Sequence, residues 1–413
     1  MSDPRHLIET AASRARPSRR RPEESVEPTS TDAPMPAAEE DVNAPYGLRS
    51  AERAWQLLDK PLQRTGYRLR PRYRTGWVGS WVGTKKKAES CEDSIRMGHV
   101  PVIMDAVRIS DGAQVLLKMW NDNERDGPEL HALRYFSHSS RINDPCNHCV
   151  PLLDCFTFPG AQRFFKAMLV EPLLRDWRYP PFLMVAEALS FMLQAIEGLE
   201  YMHSHSFFHG DIHSGNIMMD PKDMFPKGFH GAFNWSFRAR AREKRGPSRT
   251  RLQVPVKYYW IDFGSSRQLE GENRLVAPGW AAWRAPEMDG ESENLFDPFK
   301  ADVYALGLTL LTEIQRRTRL DFVIPTLIGM IAENPNDRPT MAEVKLAFKS
   351  LLAGLTPRQL RTRIGWSDDD SFYIRPMDRM VYIRLLWHSY RYGLPKDVRS
   401  KPKAPWWKLY PRH

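Results

Sequence analysis

The sequence predicts an α+β fold of two lobes, a β-rich N-lobe followed by an α-helical C-lobe, behind a disordered N-terminal arm. Two observations predict the lobes. Apolar residues alternate in short runs up to about residue 170, and after Pro181 they recur at three- and four-residue spacing. A third observation predicts the arm. Residues 1–45 are rich in Pro, Ser, Arg and Glu with few large apolar groups, so burial cannot offset the entropy of ordering them.

The elements follow in order. Residues 51–59 have helical character that Pro61 is expected to stop. The stretch Gly76-Trp77-Val78-Gly79-Ser80-Trp81-Val82-Gly83 falls within a region, 46–99, read as an aromatic-anchored extension of the N-lobe. Residues 102–109 and 114–120 read as paired strands around Ser110-Asp111-Gly112, a hairpin turn signal. A helix over 128–136 follows, then strands over 150–156 and 164–170 with Pro159-Gly160 turning between them. In 182–203, Val185, Leu189, Met192, Ile196 and Leu199 mark one face of a long helix, and helices dominate from Pro286 to Leu352. The main domain is therefore expected over 100–353, with an N-lobe at about 100–170, a C-lobe at about 174–353 and an insertion at 221–257. A C-terminal extension, 354–413, contains a candidate helix over 377–392 and the pair Trp406-Trp407, of undecided role.

Composition narrows the setting. The formal charge of +10 comes largely from two runs, 14–21 and 238–245, rather than one folded face, which argues for solvated loops over a nucleic-acid surface. Four cysteines in 413 residues make no disulfide framework, pointing to a reducing compartment, cytoplasmic or nuclear. Cys146-Asn147-His148-Cys149 lacks a second ligand pair, so no zinc site is expected. Neither a signal peptide nor a membrane span is expected. Oligomeric state is not legible.

The chemistry lies in His209-Gly210-Asp211-Ile212-His213-Ser214-Gly215-Asn216, followed downstream by Asp262-Phe263-Gly264. An Asp, an Asn five residues on and a second Asp suit phosphoryl transfer. One carboxylate faces the acceptor hydroxyl, while an amide and the other carboxylate offer oxygen ligands to Mg²⁺.

With these motifs in order, residues 100–353 resemble the eukaryotic protein kinase superfamily. The phrases Gly-Trp-Val-Gly-Ser-Trp, Asp-Pro-Cys-Asn-His-Cys-Val-Pro-Leu-Leu-Asp and Asn-Ile-Met-Met-Asp further resemble divergent kinase-like proteins of mushroom-forming, basidiomycete-type fungi. The resemblance implies an enzyme that uses ATP and Mg²⁺ and transfers the γ-phosphoryl to a Ser or Thr hydroxyl of a protein substrate. It implies that Asp211 orients the acceptor and that Asn216 and Asp262 hold metal. Lys118 would contact the α- and β-phosphates, with Glu129 as its ion-pair partner and Glu124 as the alternative. In Val170-Glu171-Pro172-Leu173, read as the hinge, the backbone of Glu171 and Leu173 would meet adenine. Glu287 and Arg338 would pair, and Asp302 would brace the catalytic loop.

The chain also departs from that pattern. The window expected for a glycine-rich loop, 96–101, holds one glycine, which puts nucleotide affinity in question. Gly210 replaces an arginine, and the segment from Asp262 to Glu287 has Ser265 and Ser266 but no Thr or Tyr. No switching by phosphorylation of that segment is therefore expected. His213 and Trp280 stand where Ser/Thr kinases carry Lys and Thr, which implies a rebuilt acceptor site that includes His213. Two alternatives stand beside the kinase: a catalytically silent scaffold, and a small-molecule phosphotransferase like those acting on aminoglycosides or choline.

Overall fold

Alternating residues in Gln114–Trp120 build the strand at the centre of a five-stranded antiparallel sheet. The computed structural model describes residues 42–97, 102–121, 127–159, 165–234, 249–269, 271, 274–277, 279, 281–289, 295–315, 317–365 and 376–398. Glu124, Trp280, both basic runs, Trp406-Trp407 and most of the 96–101 window lie outside these residues.

The strands are β1 (Tyr67–Leu69), β2 (Ile103–Arg108), β3 (Gln114–Trp120), β4 (Asp154–Phe156) and β5 (Ala167–Pro172), in the spatial order β1-β2-β3-β5-β4. Strand β1 lies inside the stretch that reads from sequence as an extension. The three residues of β1 are too few to display a period, yet they pair with β2 in register Tyr67↔Arg108 and Leu69↔Ala106. The Gly/Trp-rich stretch therefore belongs to the connection between β1 and β2.

Helices α1 (Ser50–Leu57) and α2 (Asp59–Arg64) cover the outer face of this sheet. Pro61 does not end the helical region as expected. It sits in the first turn of α2, where its missing N–H costs no helical bond. Arg72, just after β1, is buried and ties these parts together. Its Nε donates to Glu52 Oε1 at 2.8 Å, its second terminal nitrogen to Glu52 Oε2 at 3.0 Å, and its guanidinium lies 5.0 Å from the Trp77 ring. Trp77 Nε1 and the Ser80 N–H both donate to Asp93. Asn43, which sequence assigns to the disordered arm, is buried and accepts the Gly79 N–H at 2.6 Å. Ordering of the chain thus begins before residue 46, because a single polar side chain closes the turn at Gly79.

Helix α3 (Pro128–Ser137) crosses from β3 towards the second lobe. There α4 (Val185–Ser204) is buried along most of its length and packs on the hairpin of β8 (Ile217–Met219) and β9 (Tyr258–Trp260). Two short strands, β6 (Arg175–Asp176) and β7 (Phe207–Phe208), precede that hairpin, and β10 (Arg267–Gln268) pairs with β7. Helices α5 (Pro298–Gln315), α6 (Ile324–Ile328), α7 (Met341–Gly354), α8 (Pro357–Leu360) and α9 (Pro376–Arg391) complete the lobe. Arg338, with a fully buried side chain, makes a two-pronged pair with Glu287 at 2.6 and 2.7 Å and also donates to the carbonyls of Lys300, Ala332 and Glu333. No helix among the described residues is long and apolar enough to cross a membrane.

Removing Arg72 leaves the Glu52 carboxylate buried beside no cation of equal reach. Arg72→Ala is expected to lower the unfolding free energy in urea by about 3–5 kcal/mol. A loss below about 1 kcal/mol would mean that the β1–β2 connection contributes little to the fold.

Candidate active site

Strand alternation aims Lys118. Val115 and Leu117 turn into the sheet's outer core, so Gln114, Leu116 and Lys118 face the cleft between the lobes. Lys118 Nζ donates to Glu129 Oε1 at 2.5 Å and to Asp262 Oδ1 at 3.4 Å. Glu129 stands in the first turn of α3, which opens with Pro128 at its first position. Burial works against the Lys118 charge, but Glu129, Asp262 and Glu171 outweigh it and hold the ammonium above its ordinary pKa.

Glu171 and Leu173 sit differently from the sequence expectation. Glu171 is a ladder residue of β5 opposite Leu116, which puts its buried carboxyl on the same sheet face as Lys118. Burial pushes that carboxyl up to about 7, with Lys118 pulling the other way. The Leu173 N–H donates to the Gln114 carbonyl at 3.2 Å, extending the β3–β5 ladder past Pro172. It is therefore engaged with protein rather than open to a base. Cross-strand register decides both points, and a single strand's sequence does not contain it.

The catalytic loop leaves β7 and is held from α5. Asp302 Oδ2 accepts the His209 N–H at 2.6 Å, Oδ1 accepts the Gly210 N–H at 3.0 Å, and His203 Nε2 lies 3.1 Å from Oδ2. Gly210 has φ +78°, and a Cβ there would stand 2.7 Å from the Ser265 carbonyl oxygen. The glycine is a backbone requirement of this loop, not simply a missing arginine. The His209 ring packs between Trp260 and Phe263. Its Nε2 lies 3.1 Å from the Ile261 carbonyl, which places the proton there and leaves Nδ1 to accept the Asp211 N–H at 3.3 Å.

Asp211 is fixed on three sides. Its Oδ1 accepts the Ala282 N–H at 3.0 Å, while Asn216 Nδ2 donates to its main-chain carbonyl at 2.8 Å and to its Oδ2 at 3.3 Å. Burial raises the Asp211 carboxyl above its usual range, against the Ala282 bond and His213. His213 Nδ1 accepts the Gly215 N–H at 3.1 Å, so Nε2 carries the proton of the neutral ring and lies 3.9 Å from Asp211 Oδ2. Burial lowers the His213 pKa, with Asp211 opposing. The residue two places past Asp211 is therefore a neutral N–H donor near neutral pH.

Asn216 and Asp262 meet the chemistry of a magnesium site. The Asn216 NH₂ is engaged by Asp211, which leaves its amide oxygen as the ligand atom, and the half-exposed Asp262 carboxylate adjoins the cleft. Asp262 has φ +62°, a left-handed conformation that turns its side chain towards Lys118. Among the described residues no cluster of three or more His, Cys, Asp or Glu could hold a metal by itself. A Mg²⁺ ion usually takes only one or two protein ligands and keeps waters or substrate phosphates for the rest.

Sequence reasoning singled out Lys118, Glu129, Asp211, His213, Asn216 and Asp262, and the fold brings them to one cleft. It missed the cleft-facing side chains of Gln114, Asp105 and Glu171, whose only signal was strand alternation combined with register.

A family model described as the protein kinase domain matches residues 92–368. Serine/threonine-protein kinase par-4 of Caenorhabditis briggsae is 22% identical over 290 residues, covering 66% of this chain and 38% of that protein. Human serine/threonine-protein kinase TAO3 is 27% identical over 148 residues, covering 36% of this chain and 12% of that protein. The chain thus spans well under half the length of these relatives.

Glu171 supplies a pH test. Because its folded pKa is raised, the folded state holds the proton more tightly, and wild type loses stability as pH rises from the ordinary carboxyl range to about 7. Glu171→Gln removes that loss. The stability of the variant relative to wild type should therefore be greater at pH 8 than at pH 5, read from urea midpoints. An equal difference at both pH values would rule out a raised Glu171 carboxyl.

Proposed function

The chain belongs to the protein kinase family, and from that premise we propose that it transfers the γ-phosphoryl group of Mg-ATP to a Ser or Thr hydroxyl of a protein substrate. One observation carries the reading. Lys118 joins Glu129 of α3 to Asp262 of the metal-binding loop, across the cleft from the Asp211–Asn216 pair. Serine/threonine specificity is further supported by the similarity to two serine/threonine-protein kinases.

When bound, Mg-ATP supplies the transferable phosphoryl and a cation that neutralises charge on the phosphates. Glu129 keeps Lys118 charged and pointed at the α- and β-phosphates. Asn216 and Asp262 offer the two oxygen ligands to the metal. Asp211, held by Ala282 and Asn216, orients the acceptor hydroxyl and takes up its proton as transfer completes. Its raised pKa makes it a better base than an exposed aspartate. His213 offers an Nε2–H beside Asp211, the role of a donor to the transferred group. Catalysis is positioning plus electrostatics, with no covalent step on the protein.

The test is transfer of labelled γ-phosphoryl at millimolar Mg-ATP, to the protein itself and to a generic basic protein. Asp211→Asn should reduce the rate by about 10²–10⁴-fold, and Asp262→Asn should lower it as well and raise the Mg²⁺ concentration needed for half-maximal transfer. Asp211→Asn as active as wild type would overturn the assignment. Transfer to an aminoglycoside or amino alcohol, with none to protein, would move the acceptor to the small-molecule class.

A further inference from the structure

We propose that residues 228–232, at the start of the insertion, are an intramolecular occupant of the nucleotide cleft, and that ATP binds only as they withdraw. The inference rests on the kinase reading above and names the regulation of that same site.

Phe229 and Gly231 bond to side chains on the cleft face of the sheet, while the next residue, Ala232, packs into the cluster that holds Val115 and Leu117. Gln114 and Lys118 share a face of β3, and register sets Asp105 of β2 opposite Leu116 on that face. Gln114 Nε2 donates to the Phe229 carbonyl at 2.7 Å, and the Phe229 N–H donates to Gln114 Oε1 at 3.0 Å. The Gly231 N–H donates to Asp105 Oδ2 at 3.3 Å. Arg70, which pairs with Asp105, donates to the Phe229 carbonyl at 3.1 Å. On the other side, the Arg175 guanidinium just past the hinge lies 4.5 Å from the Phe225 ring and 5.1 Å from the Phe229 ring. The segment is thus clamped between the roof of the cleft and the strand leaving the hinge.

Its position along β3 is the one a base would take. Four residues separate Lys118 from Gln114, about 13 Å of strand. A nucleotide with its phosphates at Lys118 therefore lays its base near Gln114 and the hinge. The chemistry matches as well. The main-chain N–H and C=O of Phe229 give Gln114 one donor and one acceptor, the two-bond pattern an amide side chain makes with the adenine edge. Two glycines permit the close approach. A Cβ on Gly228 would lie 2.5 Å from the Gln114 amide oxygen, and one on Gly231 would stand 3.0 Å from both Asp105 and the Met97 methyl.

Gly231→Leu wedges the segment off Asp105, and Phe229→Ala removes its ring from Arg175 and Phe225. Neither changes a residue assigned to phosphate, metal or acceptor. Mg-ATP binding by calorimetry should tighten at least tenfold in either variant, and adding Lys118→Met should cancel the gain. In wild type, saturating Mg-ATP should accelerate hydrogen exchange at the amides of residues 229 and 231, a readout independent of how the variants fold. Unchanged or weaker binding in a folded variant, or unchanged exchange in wild type, overturns the proposal. Tighter binding without phosphoryl transfer keeps the occupant and removes the kinase activity. Transfer with unaltered binding does the reverse.

Discussion

The grip of two carboxylates on the Lys118 ammonium is the interaction on which the cleft depends. A buried ammonium is costly unless it is paired, and its partners come from different parts of the chain. Glu129 can reach it only if α3 lies against the sheet, and Asp262 only if its loop takes the left-handed turn. Apolar packing reinforces the same arrangement. Phe136 of α3 sits 6.2 Å from the Phe263 ring and 4.9 Å from Phe207, so the helix bearing Glu129 is keyed to the loop bearing Asp262 and to the strand entering the catalytic loop. One ion pair and one aromatic cluster therefore register the two lobes against each other.

On the acceptor side Asp302 plays the corresponding part. It satisfies two consecutive main-chain N–H groups that precede Asp211, and His209 relays the restraint onward to the Asp211 amide. The left-handed Gly210 lets the loop turn tightly enough for both bonds to form, against a carbonyl that no side chain could clear. What looks from sequence like loss of an arginine is, in the fold, a glycine at φ +78° set close against the Ser265 carbonyl. The His213 ring beside Asp211 belongs to that loop, and burial lowers its pKa.

How much was legible follows from the range of each interaction. Asp211 and Asn216 lie five residues apart on one loop, and Asp262 opens a recognisable tripeptide, so local spacing carried them. The long helix α4 announced itself by periodicity. Strand β1 was invisible because three residues carry no period, and with it went the true limits of the β1–β2 connection. The direction of the Glu171 side chain, the engagement of the Leu173 N–H and the path of residues 228–232 all depend on which residues face each other across strands or across the cleft. Those facts are set by tertiary register, on which neighbouring residues say nothing.

The most direct measurement is labelling by an acyl-phosphate derivative of ATP, whose reactive carbonyl acylates a lysine lying at the phosphates, followed by mass spectrometry of the peptides. The account predicts acylation of Lys118, suppressed by excess Mg-ATP and lost in Glu129→Gln, where the ammonium is no longer steered. Labelling confined to surface lysines, or Lys118 labelling indifferent to Mg-ATP, would contradict the claim that this ion pair is the phosphate end of a nucleotide cleft.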